Sequence, residues 1–319
     1  MTRELLPAHA GKPGPQRIGL GLAALGRPGY LNLGHGEDLG GDRSVAALRA
    51  RTFDVLDAAY TAGVRYLDAA RSYGRAEEFL GAWLDERRPA DVVVGSKWGY
   101  VYTADWEIDA DPPEVKHHDA ATLRRQLEET RARLGDQVAL YQIHSATPDS
   151  GVLEDAAVLR DLQELRATGV AVGISVSGPS QPETIDRAVE LGCFDAVQAT
   201  WNLHERAAGE ALRRAHEAGM AVIVKEALAN GRLGPRAPAA ALEAAASASG
   251  ATPDAVALAA VLAQPFADVV LSGVATRAAL ASNLTAARLQ LPDAALEQLA
   301  ALEEDSEEYW RTRSALPWN

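Results

Sequence analysis

AVGISVSGPSQPETIDRAVELGCFDAVQAT, residues 171–200, contains the pattern that decides the fold. Its first seven residues are small or apolar without strict alternation, which predicts a strand buried on both faces. Ser180 and Pro182 then open a helical segment that ends near Gly192, because serine suits the cap, proline the first turn and glycine the left-handed exit. A second apolar run, FDAVQAT, follows at 194–200. Strand, helix and strand in this order make a parallel crossover unit. Working outward, the same kind of run recurs as RIGLGLAAL at 17–25, VRYLD at 64–68, DVVVGSK at 91–97 and VALYQIH at 138–144, then as AVIVK at 221–225 and DVVLSG at 268–273. Eight such runs separated by alanine-rich helical spacing predict an α/β fold, a (β/α)8 TIM barrel. Thr252 before Pro253 starts a further helix that stops near Pro265. A doubly wound sheet is the alternative, and it lacks the glycine fingerprint expected between its first strand and helix.

Single-domain organisation over 1–319 follows from a length and an apolar content of 47% that suit one barrel core. Residues 1–15 and 305–319 read as less regular, with no core role, and 26–42 and 98–115 read as loops on the catalytic face. Only one cysteine, Cys193, is present, which rules out an intrachain disulfide. A net charge of −13 opposes nonspecific binding to nucleic acid or anionic lipid and favours work on small molecules. No apolar run approaches the roughly eighteen residues of a membrane span, and no secretory leader is read at the start, so a cytoplasmic location is expected. Only four of the 31 basic residues are lysines, Lys12, Lys97, Lys116 and Lys225, which draws attention to Lys97 and Lys225 at the ends of strands.

GVRYLDAARSYGRAEEFLG, residues 63–81, places Asp68 at a strand end and Tyr73 in the loop after it. Lys97 ends the next predicted barrel strand and His144 the one after. All four therefore meet on the carboxyl-terminal rim, where barrel enzymes keep their active sites. Hydride delivered to a carbonyl carbon leaves negative charge on oxygen, and a phenol can supply the proton that charge needs. The Lys97 ammonium is expected to bring the Tyr73 phenol towards neutrality, with Asp68 holding the ammonium and His144 orienting the substrate oxygen.

The stretch 63–81, with Lys97 and His144 on succeeding strands, strongly resembles the signature of the aldo-keto reductase family, in its bacterial branch that includes sugar and aldose dehydrogenases. The resemblance covers nearly the whole chain and implies a catalytic tetrad of Asp68, Tyr73, Lys97 and His144. It also implies a nicotinamide site in which Ser175 and Gln198 hold the carboxamide and Trp201 stacks on the ring, although Val176 replaces the usual asparagine. KEALANGRL at 225–233 resembles the pyrophosphate loop, with Lys225, Leu228, Asn230 and Gly231 as contacts. SGVATRAALASNL at 272–284 resembles the adenosine-binding turn, with Gly273, Arg277 and Asn283 as contacts. Val274, Ala275 and Ala279 stand where the family often holds the 2′-phosphate, and Ser282 where it is commonly acidic, so NADP(H) over NAD(H) rests on Arg277. No metal is expected.

Trp98, Tyr100 and Trp106, with Tyr102 nearby, are expected to wall the substrate mouth, because aromatic faces suit the C–H patches of sugars. Trp310 and Trp318 are expected to cap the pocket or dock the tail. Two alternatives use the same residues: a Schiff-base aldolase acting through Lys97 or Lys225, and a nonenzymatic subunit that senses cofactor. The substrate, the direction of reaction and the oligomeric state are not legible in the sequence.

Overall fold

Each of the eight apolar runs forms one strand of a closed parallel barrel in the computed structural model, which describes residues 14–319. The strands are β1 Ile18–Gly21, β2 Tyr66–Asp68, β3 Val93–Trp98, β6 Val138–Ala146, β7 Ala171–Val176, β8 Ala196–Thr200, β9 Ala221–Lys225 and β10 Val269–Ser272. Their spatial order is β1-β10-β9-β8-β7-β6-β3-β2, and pairing of β1 with β2, Gly21 opposite Asp68, closes the ring. A hairpin of β4 Tyr100–Tyr102 and β5 Glu114–Lys116 stands outside the ring.

Two apolar layers explain why the strands lack alternation. Tyr66, Leu140, Ala196, Ile223, Val269 and Leu271 form an inner cluster from five strands, while Leu67, Val94, Tyr141, Ile143, Ile174 and Val197 join the larger cluster shared with the helices. A side chain on either face of a strand is thus removed from water. The inner layer is tight at Gly95 of β3, where an added Cβ would lie 2.3 Å from the Tyr66 hydroxyl. That hydroxyl donates to Asp68 at 3.2 Å, so the missing side chain at Gly95 also protects a site residue's partner.

The two helices start where Ser180 and Thr252 predict, although neither hydroxyl caps its own helix. The helix Gln181–Leu191 starts after Ser180, has Pro182 in its first turn and exits through Gly192 at φ 62°. The helix Pro253–Leu262 follows Thr252, whose hydroxyl lies 2.8 Å from Ser282 Oγ instead of capping its own helix. Among the described residues no single helix is long and apolar enough to cross a membrane.

Three expectations need correction. Residues 305–319 contain the helix Ser306–Ser314, capped by Asp305 and burying Tyr309 and Trp310 against Leu203, Leu233 and Leu299. Two aromatic residues among charged neighbours carry little periodic signal, yet they bury enough area to dock the segment. The stretch 26–42 includes the short helix His35–Leu39, and 98–115 contributes β4 and the start of β5, which pair through backbone hydrogen bonds that composition does not register. The less regular stretch 1–15 lies, up to residue 13, outside the described residues.

Gly95→Ala should lower stability by about 1–3 kcal/mol, because a rigid, hydrogen-bonded ring cannot retreat from the new methyl group. Denaturant unfolding checks this, and an unchanged midpoint with an unchanged slope would show that the inner layer has room to spare.

Candidate active site

The rim above the carboxyl ends of β2, β3 and β6 gathers the four predicted catalytic residues. Asp68 ends β2, and the chain then turns through 69–75 into the helix Ala76–Arg87. Backbone bonds from Tyr73 N to Ala70 O (3.1 Å) and from Arg75 N to Gly26 O (2.7 Å) shape this turn. Gly74 sits at φ 58°, and a Cβ there would stand 2.4 Å from Gly26 O, so no other residue fits. Tyr73 is thereby held over the barrel mouth.

Lys97 is fully buried, with its ammonium ion-paired to Asp68 Oδ2. The same nitrogen donates to Ala69 O at 3.1 Å and to the Tyr73 hydroxyl at 3.4 Å. The second Asp68 oxygen accepts from Gln198 Nε2 at 3.0 Å and from the Tyr66 hydroxyl at 3.2 Å. A buried pair of this kind is costly to desolvate and survives only where additional hydrogen bonds fill its remaining valences; here Ala69, Tyr66 and Gln198 do so. His144 of β6 places Nδ1 3.4 Å from Ser72 Oγ, with its ring edge-on to Tyr73 at 5.4 Å and to Tyr100 at 5.0 Å between centroids.

Electrostatics at these groups differ from the sequence expectation in one respect. Burial and the Asp68 carboxylate hold the Tyr73 phenol well above its usual range instead of near neutrality. The ammonium is committed chiefly to Asp68, so its effect on the phenol does not dominate. Burial, with Lys97 and Lys225 adding repulsion, pushes the His144 imidazole well below its usual value, which makes it neutral. Burial also lowers Lys225 to about 8, against the attraction of Glu226.

A cavity of ≈ 830 Å³ opens over these residues. Asp68, Tyr73, His144 and Gln198 line it at the strand ends, while Lys225, Leu228, Asn230 and Gly231 line it along the loop after β9. Gly273 and Asn283, with Ala275 and Ala279, line it after β10. Ten predicted residues therefore share one space. Buried oxygens with no partner among the described residues, Gln198 Oε1 and Asn230 Oδ1, stand among them, and such acceptors suit an amide-bearing dinucleotide. The other predicted contacts lie elsewhere. Ser175 Oγ is fully buried and accepts from Ser145 N at 2.8 Å, and the Trp201 ring packs against Phe266 at 5.8 Å in the helix layer. Arg277 is 65% exposed and pairs with Asp54 at 3.2 Å. Neither Trp201 nor Arg277 lines the cavity.

The predicted substrate wall is also rearranged. Trp98 is fully buried against His118, because adjacent strand residues face opposite ways and Lys97 takes the barrel side. Trp106 is half-buried, donates Nε1–H to Arg43 O at 2.9 Å and packs on Phe79. Tyr100 remains beside His144 without lining the cavity. In their place stand Arg27, Tyr30, Glu114 and Trp318, which the sequence reading did not assign to the substrate wall. The Arg27 guanidinium donates to Glu114 at 3.0 Å and lies 4.4 Å from the Trp318 ring centroid and 5.4 Å from that of Tyr73. Trp318 thus caps the cavity, whereas Trp310 docks the tail helix, its ring 5.3 Å from the Arg313 guanidinium. Arg313 in turn pairs with Glu226 at 2.5 Å and holds the tail against the loop after β9. Among the described residues no cluster of side chains is suited to hold a metal.

Residues 17–304 match the model of the Aldo/keto reductase family. D-threo-aldose 1-dehydrogenase of a Pseudomonas species is 27% identical over 70% of this chain and 70% of its own. Among solved structures, a Pseudomonas aeruginosa protein classed with the aldo-keto reductases is 26% identical, with a TM-score of 0.64 over 87% of this chain and 94% of its own. The glycerol dehydrogenase of Gluconobacter oxydans, at 22% identity, shares the fold with a TM-score of 0.70 over 90% of each chain. These matches favour an oxidoreductase over the aldolase and the cofactor-sensing subunit. The chain belongs to the aldo/keto reductase family, as an NAD(P)H-dependent oxidoreductase whose barrel serves small carbonyl or alcohol substrates.

Proposed function

We propose that Tyr73 is the proton donor and acceptor of this oxidoreductase, with Lys97, Asp68 and His144 as its partners. The observation that carries the reading is the continuous chain from Gln198 through Asp68 and Lys97 to the Tyr73 hydroxyl, which reaches the same cavity as His144. When bound, the nicotinamide supplies or accepts the hydride. Gln198 and Asn230 would hold the dinucleotide through their free acceptors, and Lys225, Leu228 and Gly231 would border its phosphates. Gly273 and Asn283 would flank the adenosine.

In reduction, Tyr73 gives its phenolic proton to the substrate oxygen as negative charge develops there. The Lys97 ammonium, 3.4 Å away, then faces the new phenolate and stabilises it. Asp68 fixes that ammonium in direction and is itself fixed by Tyr66 and Gln198. A neutral His144 that accepts from Ser72 at Nδ1 offers its Nε2–H to the same oxygen and orients it. Oxidation of an alcohol runs the same proton backwards and needs the phenolate beforehand.

A hydroxylated substrate, sugar-like in shape, fits the mouth best. Trp318 and Tyr30 line the mouth as rings suited to C–H patches, with Arg27 over one face of each, and the Arg27–Glu114 pair offers both a donor and an acceptor to hydroxyls. The relative that oxidises D-threo-aldoses by name supports the same class. Preference for NADP(H) was expected from Arg277, and the outward pairing of that residue with Asp54 removes this support.

Tyr73→Phe should lower kcat/KM for reduction by about 10²–10⁴-fold while dinucleotide binding stays within about twofold. Steady-state turnover on a panel of aldoses, aldehydes and ketones, paired with fluorescence titration, checks this. Near-wild-type turnover would remove Tyr73 from the chemistry. Because the phenol is held well above its usual range, reduction should show no loss from deprotonation of Tyr73 around neutral pH, whereas oxidation should climb as pH rises. A pH–rate profile in which reduction fades through neutrality would contradict the environment assigned to Tyr73.

A further inference from the structure

One wall of the cavity is built outside the strand ring, where the helix Pro253–Leu262 meets the helix Arg277–Thr285. Thr252 Oγ1 and Ser282 Oγ lie 2.8 Å apart across this seam. Asp254, in the first turn of its helix, lines the cavity beside Ser282 and Asn283 while only 5% exposed. Its Oδ1 has no hydrogen-bond partner among the described residues. Arg236, a cation of the same cavity lining, is already held by Asp38 at 2.6 Å and Glu37 at 3.3 Å.

A carboxylate accepts hydrogen bonds and donates none, and leaving it buried without partners is unfavourable. The amino end of its helix favours the charge but leaves the Oδ1 lone pairs unfilled. A ligand hydroxyl supplies the donor that Oδ1 lacks, and a second hydroxyl adjacent to it can serve the other oxygen of the same carboxylate. A phosphate in place of one hydroxyl removes a donor and brings like charge beside the carboxylate. We propose that Asp254 accepts from the ribose diol of the cofactor's adenosine and so selects NAD(H) over NADP(H), against the expectation drawn from Arg277. This rests on the cavity being the dinucleotide site proposed above, with adenosine at the wall between the two helices.

The alternative role for Asp254 is a purely local one, as an acidic residue at a helix start. The two are separated by titrating NADH and NADPH separately into wild type and Asp254→Asn, following tryptophan fluorescence, with a thermal melt of each protein. Wild type should bind NADH at least about tenfold more tightly than NADPH, and the substitution should weaken NADH by about tenfold while NADPH is unchanged or tightened. Equal weakening of both nucleotides, a lowered melting temperature with an unchanged ratio, or a wild-type preference for NADPH would each overturn the assignment. If the variant fails to fold, competition on wild type gives the same information: 5′-AMP should displace bound NADH at least about tenfold better than 2′,5′-ADP does, and parity would overturn the inference. If wild type binds neither nucleotide, the dinucleotide reading of the cavity fails first.

Discussion

The buried ion pair between Lys97 and Asp68 is the constraint on which the site depends. Two charges withdrawn from water inside a barrel are unstable unless each remaining valence is filled. Ala69 O, Tyr66, Gln198 and Tyr73 fill them, and they come from two barrel strands and one loop. Tyr66 fits only because Gly95 has no side chain, and Tyr73 is placed only because Gly74 can approach Gly26. The barrel interior, the loop after β2 and the catalytic rim are therefore parts of one packing solution.

That solution also shapes the cavity to which we assign both chemistry and binding. Its floor is the strand ends, where polarity is concentrated in the Tyr73, Lys97, Asp68 and His144 group. Gln198 adds an acceptor to this floor, and the sides, built from loops and helix starts, present Asn230 and Asp254, all three without a partner for one side-chain oxygen among the described residues. The tail closes it from above: Trp318 stacks on Arg27, and the Arg313–Glu226 pair ties the last helix to the loop after β9. Burial pushes Glu226 up, but Arg313 and Lys225 outweigh this and bring it down to about 2, so the tie is ionised whenever the protein is folded at ordinary pH.

The barrel and the gathering of four polar residues on its carboxyl-terminal rim were legible in the sequence because both depend on local pattern. Eight apolar runs mark eight strands, and a polar residue ending such a run must lie at the rim, which placed Asp68, Lys97 and His144. Facing direction was less legible. Trp98 follows Lys97 directly, so the pleat sends the two to opposite sides, and no local signal shows that Trp201 packs on Phe266 in the helix layer. Arg27, Glu114 and Trp318 are far apart in the chain, and their meeting depends on tertiary packing that no window of sequence contains. The Tyr73 environment was misjudged for a related reason: the sequence shows that Asp68 and Lys97 are near, but not how far burial and the Asp68 charge together raise the phenol.

The most direct test of the account is a double-mutant cycle between Tyr73→Phe and Lys97→Met, read as single-turnover hydride transfer in cofactor-saturated enzyme. If the phenol and the ammonium act as one unit, the double variant is about as slow as Tyr73→Phe alone, because Lys97 has nothing left to stabilise. Losses that multiply would contradict the account and leave Lys97 with a role independent of Tyr73.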